Sequence, residues 1–159
     1  MTVVKPSSPS GYTIFCDDIR KEDNGKLLFI GTYLADMTIA GSLPVLLPSF
    51  CMMVRYWERP TDPEESVEIR VFSPGLDEPI FKMPLDVSQF RGKPLPSTSD
   101  PDADPLHVAL VPIRLSPFPI EAEGHIKVRA YRGDQEVRLG ALPVRVAPLP
   151  QLAQPAPQA

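Results

Sequence analysis

Residues 12–33, YTIFCDDIRKEDNGKLLFIGTY, decide the fold. Two apolar runs, YTIFC and LLFIGTY, flank DDIRKEDNGK, and Asn24-Gly25 sits where a hairpin reverses, because both residue types tolerate the positive φ that a two-residue turn requires. As a type I′ hairpin the stretch pairs Ile19 with Ile30, Asp17 with Thr32 and Phe15 with Leu34 on one face. The other face then pairs Arg20 with Phe29, Asp18 with Gly31 and Cys16 with Tyr33. Neither face is cleanly polar. Successive strand residues point to opposite sides, so one of Asp17 and Asp18 points inward unless a bulge resets the alternation. A buried carboxylate requires partners, and Asp17, Asp18 and Arg20 are therefore read as a structural polar site.

Strand character recurs in eight runs: 12–19, 26–34, 50–57, 67–72, 79–83, 106–115, 125–131 and 136–146. Turn signals at Asn24-Gly25, Pro74-Gly75 and Gly133-Asp134 separate them, with longer polar connections over 60–66 and 93–105. The run FCMMVRYW (50–57) is apolar on both faces except at Arg55, as a central strand or an interface strand would be. Pro112 removes a ladder donor from LHVALVPIRL and places that run at an edge or bulge. The 21 prolines leave few windows for a three-turn helix, and only 86–91, with Asp86 as N-cap, suits a helical turn. The expected fold is all-β, a single antiparallel β-sandwich of about eight strands, immunoglobulin-like or C2-like, with at most one short helical turn. Its expected organisation is a flexible arm over 1–10, the sandwich over 11–146, and a Pro-rich, disordered or extended tail over 147–159.

The last hairpin tests itself. A two-residue turn at Gly133-Asp134 pairs Arg132 with Gln135, Ala130 with Val137, Val128 with Leu139 and Ile126 with Ala141, an apolar set. The opposite face pairs Tyr131 with Glu136 and Arg129 with Arg138, beside His125 and Lys127. Arg129 opposite Arg138, with Lys127 adjacent, repels unless something neutralises it. Glu136 or a neighbouring acid is the simple partner; an anionic ligand or a partner protein is the other. Lys127, Arg129 and Arg138 are therefore the candidate binding residues.

Composition sets limits. Leu, Ile, Val and Phe supply 45 of 159 residues, enough for a core in one domain. A net charge of −4, with acids concentrated between Pro60 and Asp104, provides no global basic field, so no nucleic-acid partner is expected. No run reaches the apolar length that spans a bilayer, and MTVVKPSSPSGY lacks a signal-peptide core; a cytoplasmic chain with no membrane partner is expected. Cys16 and Cys51 are read as buried thiols.

Chemistry is sparse. The two imidazoles, His107 and His125, lie in strands whose neighbours explain them as packing or surface, and no metal or cofactor is expected. Cys16, Cys51, His107 and His125 lack the close pairing of a zinc site. SDPDADP carries Asp100, Asp102 and Asp104 at calcium-loop spacing without the turn glycine or the bidentate Glu. Arg132-Gly133-Asp134 spells an adhesion tripeptide but suffices as a tight turn. Tyr56 and Trp57 could offer a stacking platform, though a strand with an aromatic on each face usually buries one.

The string FCDDIRKEDNGKLLFIGTY, followed by the proline-flanked LPVLLPSFCMMV and the hairpin GHIKVRAYRGDQEV, resembles an uncharacterised family of small bacterial and phage-borne proteins with an FCDD-R-E--GK---IG-Y motif. The resemblance implies a shared fold and bacterial or phage origin, and it lends no catalytic residue. The function expected is that of a non-enzymatic binding or structural module acting through protein–protein contacts with an unidentified partner, with a homo-oligomer left open. Two alternatives stand beside it. One is a virion or assembly component whose Pro-rich tail docks on a neighbour; the other is a small hydrolase or transferase built around Asp17 or Asp18.

Overall fold

A computed structural model describes residues 7–92 and 104–149, and the strands within them alternate inward and outward side chains with few breaks. In chain order the elements are β1 (Ser10–Cys16), β2 (Asp18–Lys21), β3 (Leu27–Ile30), β4 (Met37–Ala40), β5 (Val45–Leu47), β6 (Phe50–Glu58), β7 (Val67–Phe72), β8 (Phe81–Leu85), α1 (Val87–Arg91), β9 (His107–Leu115), β10 (Phe118–Ile120), β11 (Gly124–Arg132) and β12 (Gln135–Ala147). The helical turn forms where expected: the Asp86 side chain caps α1 by accepting from the Ser88 amide at 3.1 Å.

The protein is mostly β, but it is not a simple eight-strand antiparallel sandwich. The described residues hold twelve strands in four sheets: β1-β6-β9, β4-β12-β11-β7-β8, and the two-stranded pairs β10-β5 and β2-β3. The five-stranded sheet is mixed, because β4 runs parallel to β12, and it curls into a half-barrel. Strands β4, β5 and β10 fall in segments that look like connections. They are three or four residues long, and β5 lies between Pro44 and Pro48.

The core lies between the three-stranded and five-stranded sheets. Phe50, Met52, Val54 and Tyr56 of β6 face Ile69 and Val71 of β7, Ile126, Val128 and Ala130 of β11, and Val137, Leu139, Leu142 and Val144 of β12, with Phe118 and Ile120 of β10 completing it. Each fully buried aliphatic or aromatic side chain contributes roughly 1.5–3 kcal/mol, so this face carries the fold. Pro112 lies in β9, the edge strand of its sheet, where a missing amide is tolerated.

Both hairpins deviate from simple two-residue registers, in different ways. Around Gly133-Asp134 the pairs Arg132–Gln135, Tyr131–Glu136, Ala130–Val137 and Arg129–Arg138 form as expected. A bulge then slips the register, so Val128 meets Gly140 rather than Leu139, and Ile126 meets Leu142 rather than Ala141. The extra residue lets Leu139 and Leu142 both point inward.

The first hairpin closes through three residues rather than two. Gly25 donates to the Glu22 carbonyl at 2.9 Å and Glu22 donates to the Lys26 carbonyl at 2.8 Å, while Gly25 alone takes positive φ (+85°). A type I turn followed by a left-handed glycine replaces the type I′ turn, and every pair shifts by one: Asp18 meets Ile30, Ile19 meets Phe29, Arg20 meets Leu28 and Lys21 meets Leu27.

Candidate functional site

The outer face of β7, β11 and β12 carries the expected basic residues along a groove of about 670 Å³, lined by His125, Lys127, Arg129, Tyr131, Glu136 and Arg138 beside the 72–77 turn. Cross-strand pairing puts Arg129 opposite Arg138, and Glu136 enters between them: its Oε1 lies 3.4 Å from Arg129 Nε and 3.8 Å from Arg138 Nε. Arg129 also donates to the Val128 and Gly140 carbonyls at 2.9 and 3.0 Å, so its guanidinium is tied to the bulge. Arg138 is 82% exposed, and Lys127 has no ion-pair partner among the described residues. Arg70 stacks 4.1 Å over the Tyr131 ring and pairs with Glu68 at 2.5 Å. The face thus combines two solvated cations with a neutralised pair.

Asp17, Asp18 and Arg20 form the hinge from which β2 and β3 leave the body. The chain bends at Asp17, which supplies the break in alternation, and neither carboxylate is buried. Asp17 Oδ1 accepts from the Tyr33 hydroxyl at 2.5 Å. Asp18 is held by Arg20 Nε at 2.9 Å and by Arg114 of β9, whose second contact is the Ile19 carbonyl at 3.1 Å. Hydrogen bonds from Arg20 and Arg114 hold the Asp18 carboxyl below its usual range. Gly31, at φ +65°, lets the chain rejoin, since a side chain there would run into the Asp17 carboxylate. Neither aspartate meets a histidine among the described residues.

Beyond this hinge β2 keeps contact with the body through Asp18 and Ile19, and β3 lies outside it. Leu27, Leu28, Phe29 and Ile30 are all exposed, and Leu34 is 95% exposed. Opposed residues share a side, so Ile19, Lys21, Leu27 and Phe29 occupy one face and Asp18, Arg20, Leu28 and Ile30 the other. No strand among the described residues pairs with the outer edge of β3.

A second apolar surface lies on the outside of the three-stranded sheet. Strand register sets three rows across it: Ser10–Trp57–Val108, Tyr12–Arg55–Leu110 and Ile14–Met53–Pro112. Tyr12 and Leu110 are 44% and 58% exposed, and Trp57 is half-buried with its indole N–H on the Ser7 carbonyl at 3.1 Å. Tyr56, on the inner side, is fully buried. One row further along, Cys16 and Cys51 face each other as buried thiols, and burial pushes Cys16 up to about 11.

The largest polar feature escaped the sequence reading. Glu58, fully buried, accepts from the Tyr56 hydroxyl at 2.6 Å, Arg132 Nε at 2.9 Å and Arg91 Nε at 2.9 Å. Arg91 Nη2 also donates to the Asp62 and Pro63 carbonyls, both at 3.1 Å, and Arg132 reaches Pro63 and Glu65. The cluster ties α1 and the 59–66 loop to the body. Its signal was parity: Glu58 continues the inward series Phe50, Met52, Val54, Tyr56, and Arg132 continues Ile126, Val128, Ala130. Opposite charges at two inward positions are the mark of a buried pair.

Among the described residues no group of three or more His, Cys, Asp or Glu could hold a metal ion, and no helix is long and apolar enough to cross a membrane. Asp100 and Asp102 of the calcium-spaced stretch lie outside the described residues, as do 1–6 of the arm and 150–159 of the tail. Comparison with curated proteins finds no match. A family model, described as a family of unknown function (DUF6941), matches residues 11–147, from the second residue of β1 to the last of β12. The chain belongs to this family of unknown function, DUF6941.

Proposed function

We propose that the protein is a non-enzymatic binding module that receives a strand from a partner protein along the outer edge of β3. The exposure of all four residues of β3 carries this reading. An isolated two-stranded ribbon is at best marginally stable in water, and one that exposes Leu27, Leu28, Phe29 and Ile30 gains from a third strand. The backbone favours the same occupant. Glu22 and Lys26 form a hydrogen-bonded pair, so by alternation Leu28 and Ile30 turn their amides and carbonyls toward β2 while Leu27 and Phe29 turn theirs outward. The occupant is therefore an extended strand with apolar side chains at alternate positions. Lys127 and Arg138 in the groove offer a separate contact for an acidic segment.

The test uses a binary complex rebuilt from the purified chain and a purified candidate partner from the native host. Amide exchange should slow at Leu27 and Phe29, and Phe29→Lys should abolish the complex without unfolding the body. A complex unaffected by Phe29→Lys, with both amides exchanging as before, overturns the reading. Light scattering identifies the case in which the incoming strand belongs to a second copy.

A further inference from the structure

Arg55 is the one charged residue in the three rows on the outside of the three-stranded sheet, and its surroundings are apolar. Tyr12 and Leu110 sit directly opposite it on the two flanking strands, with Trp57 and Met53 two positions away along β6. Rows two residues apart are separated by roughly 7 Å and neighbouring strands by roughly 4.8 Å, so these are the side chains that flank Arg55 on this face. The Tyr12 ring lies 5.9 Å below it and 6.2 Å from the Trp57 ring, edge to face. Among the described residues no carboxylate pairs with Arg55, and its Nε is buried without a hydrogen-bond partner. Every other arginine of the two hinge and core clusters has an acid: Arg20 and Arg114 have Asp18, and Arg91 and Arg132 have Glu58.

A buried guanidinium N–H without an acceptor is expensive, and it is normally satisfied. We propose that this face is a second binding surface, for a peptide segment whose Asp or Glu carboxylate pairs with Arg55 while apolar neighbours cover Tyr12, Trp57 and Leu110. Charge selects this occupant over a second copy. Two copies laid face to face about a two-fold axis through the middle row bring Arg55 against Arg55, whereas an acidic segment supplies the missing acceptor. The planar fork of arginine accepts a carboxylate through two parallel N–H groups, and the flanking aromatic rings exclude water from that pair. The inference shares with the proposed function only the premise that the protein binds proteins; it requires nothing of β3.

The test is a selection of random heptapeptides displayed on phage against the immobilised full chain, run in parallel on Arg55→Met and Arg55→Glu. Arg55→Met keeps the apolar stem, and circular dichroism with Trp57 fluorescence confirms that each variant is folded. Wild type should enrich peptides with one Asp or Glu between apolar residues. A synthetic copy of the best should bind Arg55→Met about ten- to a hundredfold more weakly, the size of a charge-assisted pair. Arg55→Glu should enrich Lys or Arg in the acid's place, and peptide binding should shift the Trp57 indole resonance. Enrichment of nothing by wild type, or of peptides without an acid, or equal binding by Arg55→Met, overturns the inference. All three leave the β3 reading standing, because Phe29→Lys tests that separately.

Discussion

The hairpins β11–β12 and β2–β3 look alike as sequence, with apolar runs around a glycine-containing turn, yet one supplies much of the core and the other buries no residue, with all of β3 exposed. In β11 the inward positions Ile126, Val128 and Ala130 are fully buried. In β3 none of Leu27, Leu28, Phe29 and Ile30 is buried. The difference lies in alternation. Strand β11 alternates apolar with polar residues and so has one face to hide, whereas LLFI is apolar on both faces and no single sheet can cover it. A run apolar on both sides belongs either at the centre of a sheet or against another molecule.

The sharpest way to break this contrast is to attack what anchors the buried hairpin. Glu58→Ala leaves Arg91 without its acid and Arg132 with only the half-exposed Glu65, and urea unfolding should show a loss of about 3–5 kcal/mol. A loss below about 1 kcal/mol would mean that the arginines find other partners and that the cluster does not hold the two sheets together.

Next come matched truncations, one in each hairpin. Ile126→Ala should destabilise by about 2–5 kcal/mol, and Phe29→Ala by less than about 1 kcal/mol, in the same thermal or urea titration. Equal effects would erase the distinction between core and ribbon.

Of smaller size is the hinge. Gly31→Ala places a methyl against Asp17 at a positive φ, and should cost about 1–3 kcal/mol, with NMR shifts concentrated at Asp17, Tyr33 and the ribbon. Shifts spread evenly across the core would show that ribbon and body are not separable.

The smallest effect is acid-induced. The folded-state carboxyl of Asp18 titrates below its unfolded value near 3.9, so its contribution is complete above that pH and is lost as pH falls through the lower folded value. Between pH 5 and 2 the Arg20 and Arg114 side-chain resonances should change before the core unfolds. Asp18→Asn should remove that step, and its persistence in the variant would assign it elsewhere.

What could be seen from residues alone follows the same division. The β11–β12 pairs near the turn were legible because polar and apolar residues segregate at period two. The bulge beyond Arg129 was not, because Gly140 and Ala141 are small enough to suit either face. Asn24-Gly25 fits both a two-residue and a three-residue turn, and with LLFI apolar on both sides nothing in the side chains chose the register. Strands β4, β5 and β10 are too short for alternation to stand out among prolines. The basic trio was found by cross-strand position, and its neutraliser Glu136 with it. Glu58 and Arg91 were passed over because an acid at the end of an apolar strand looks like its exit to solvent, and only parity across two distant strands reveals the pair.

The placement of β12 has a consequence for synthesis on the ribosome. This strand, the last among the described residues, lies inside the larger sheet between β4 and β11, and it also packs on β1. The inward face of β1 therefore waits, uncovered, until residues 135–147 have emerged from the exit tunnel, and that of β6 has until then only part of its cover, from β7, β10 and β11. A nascent chain stopped before Gln135 has no closed interior, so the core closes only when β12 is in place rather than strand by strand from the amino end.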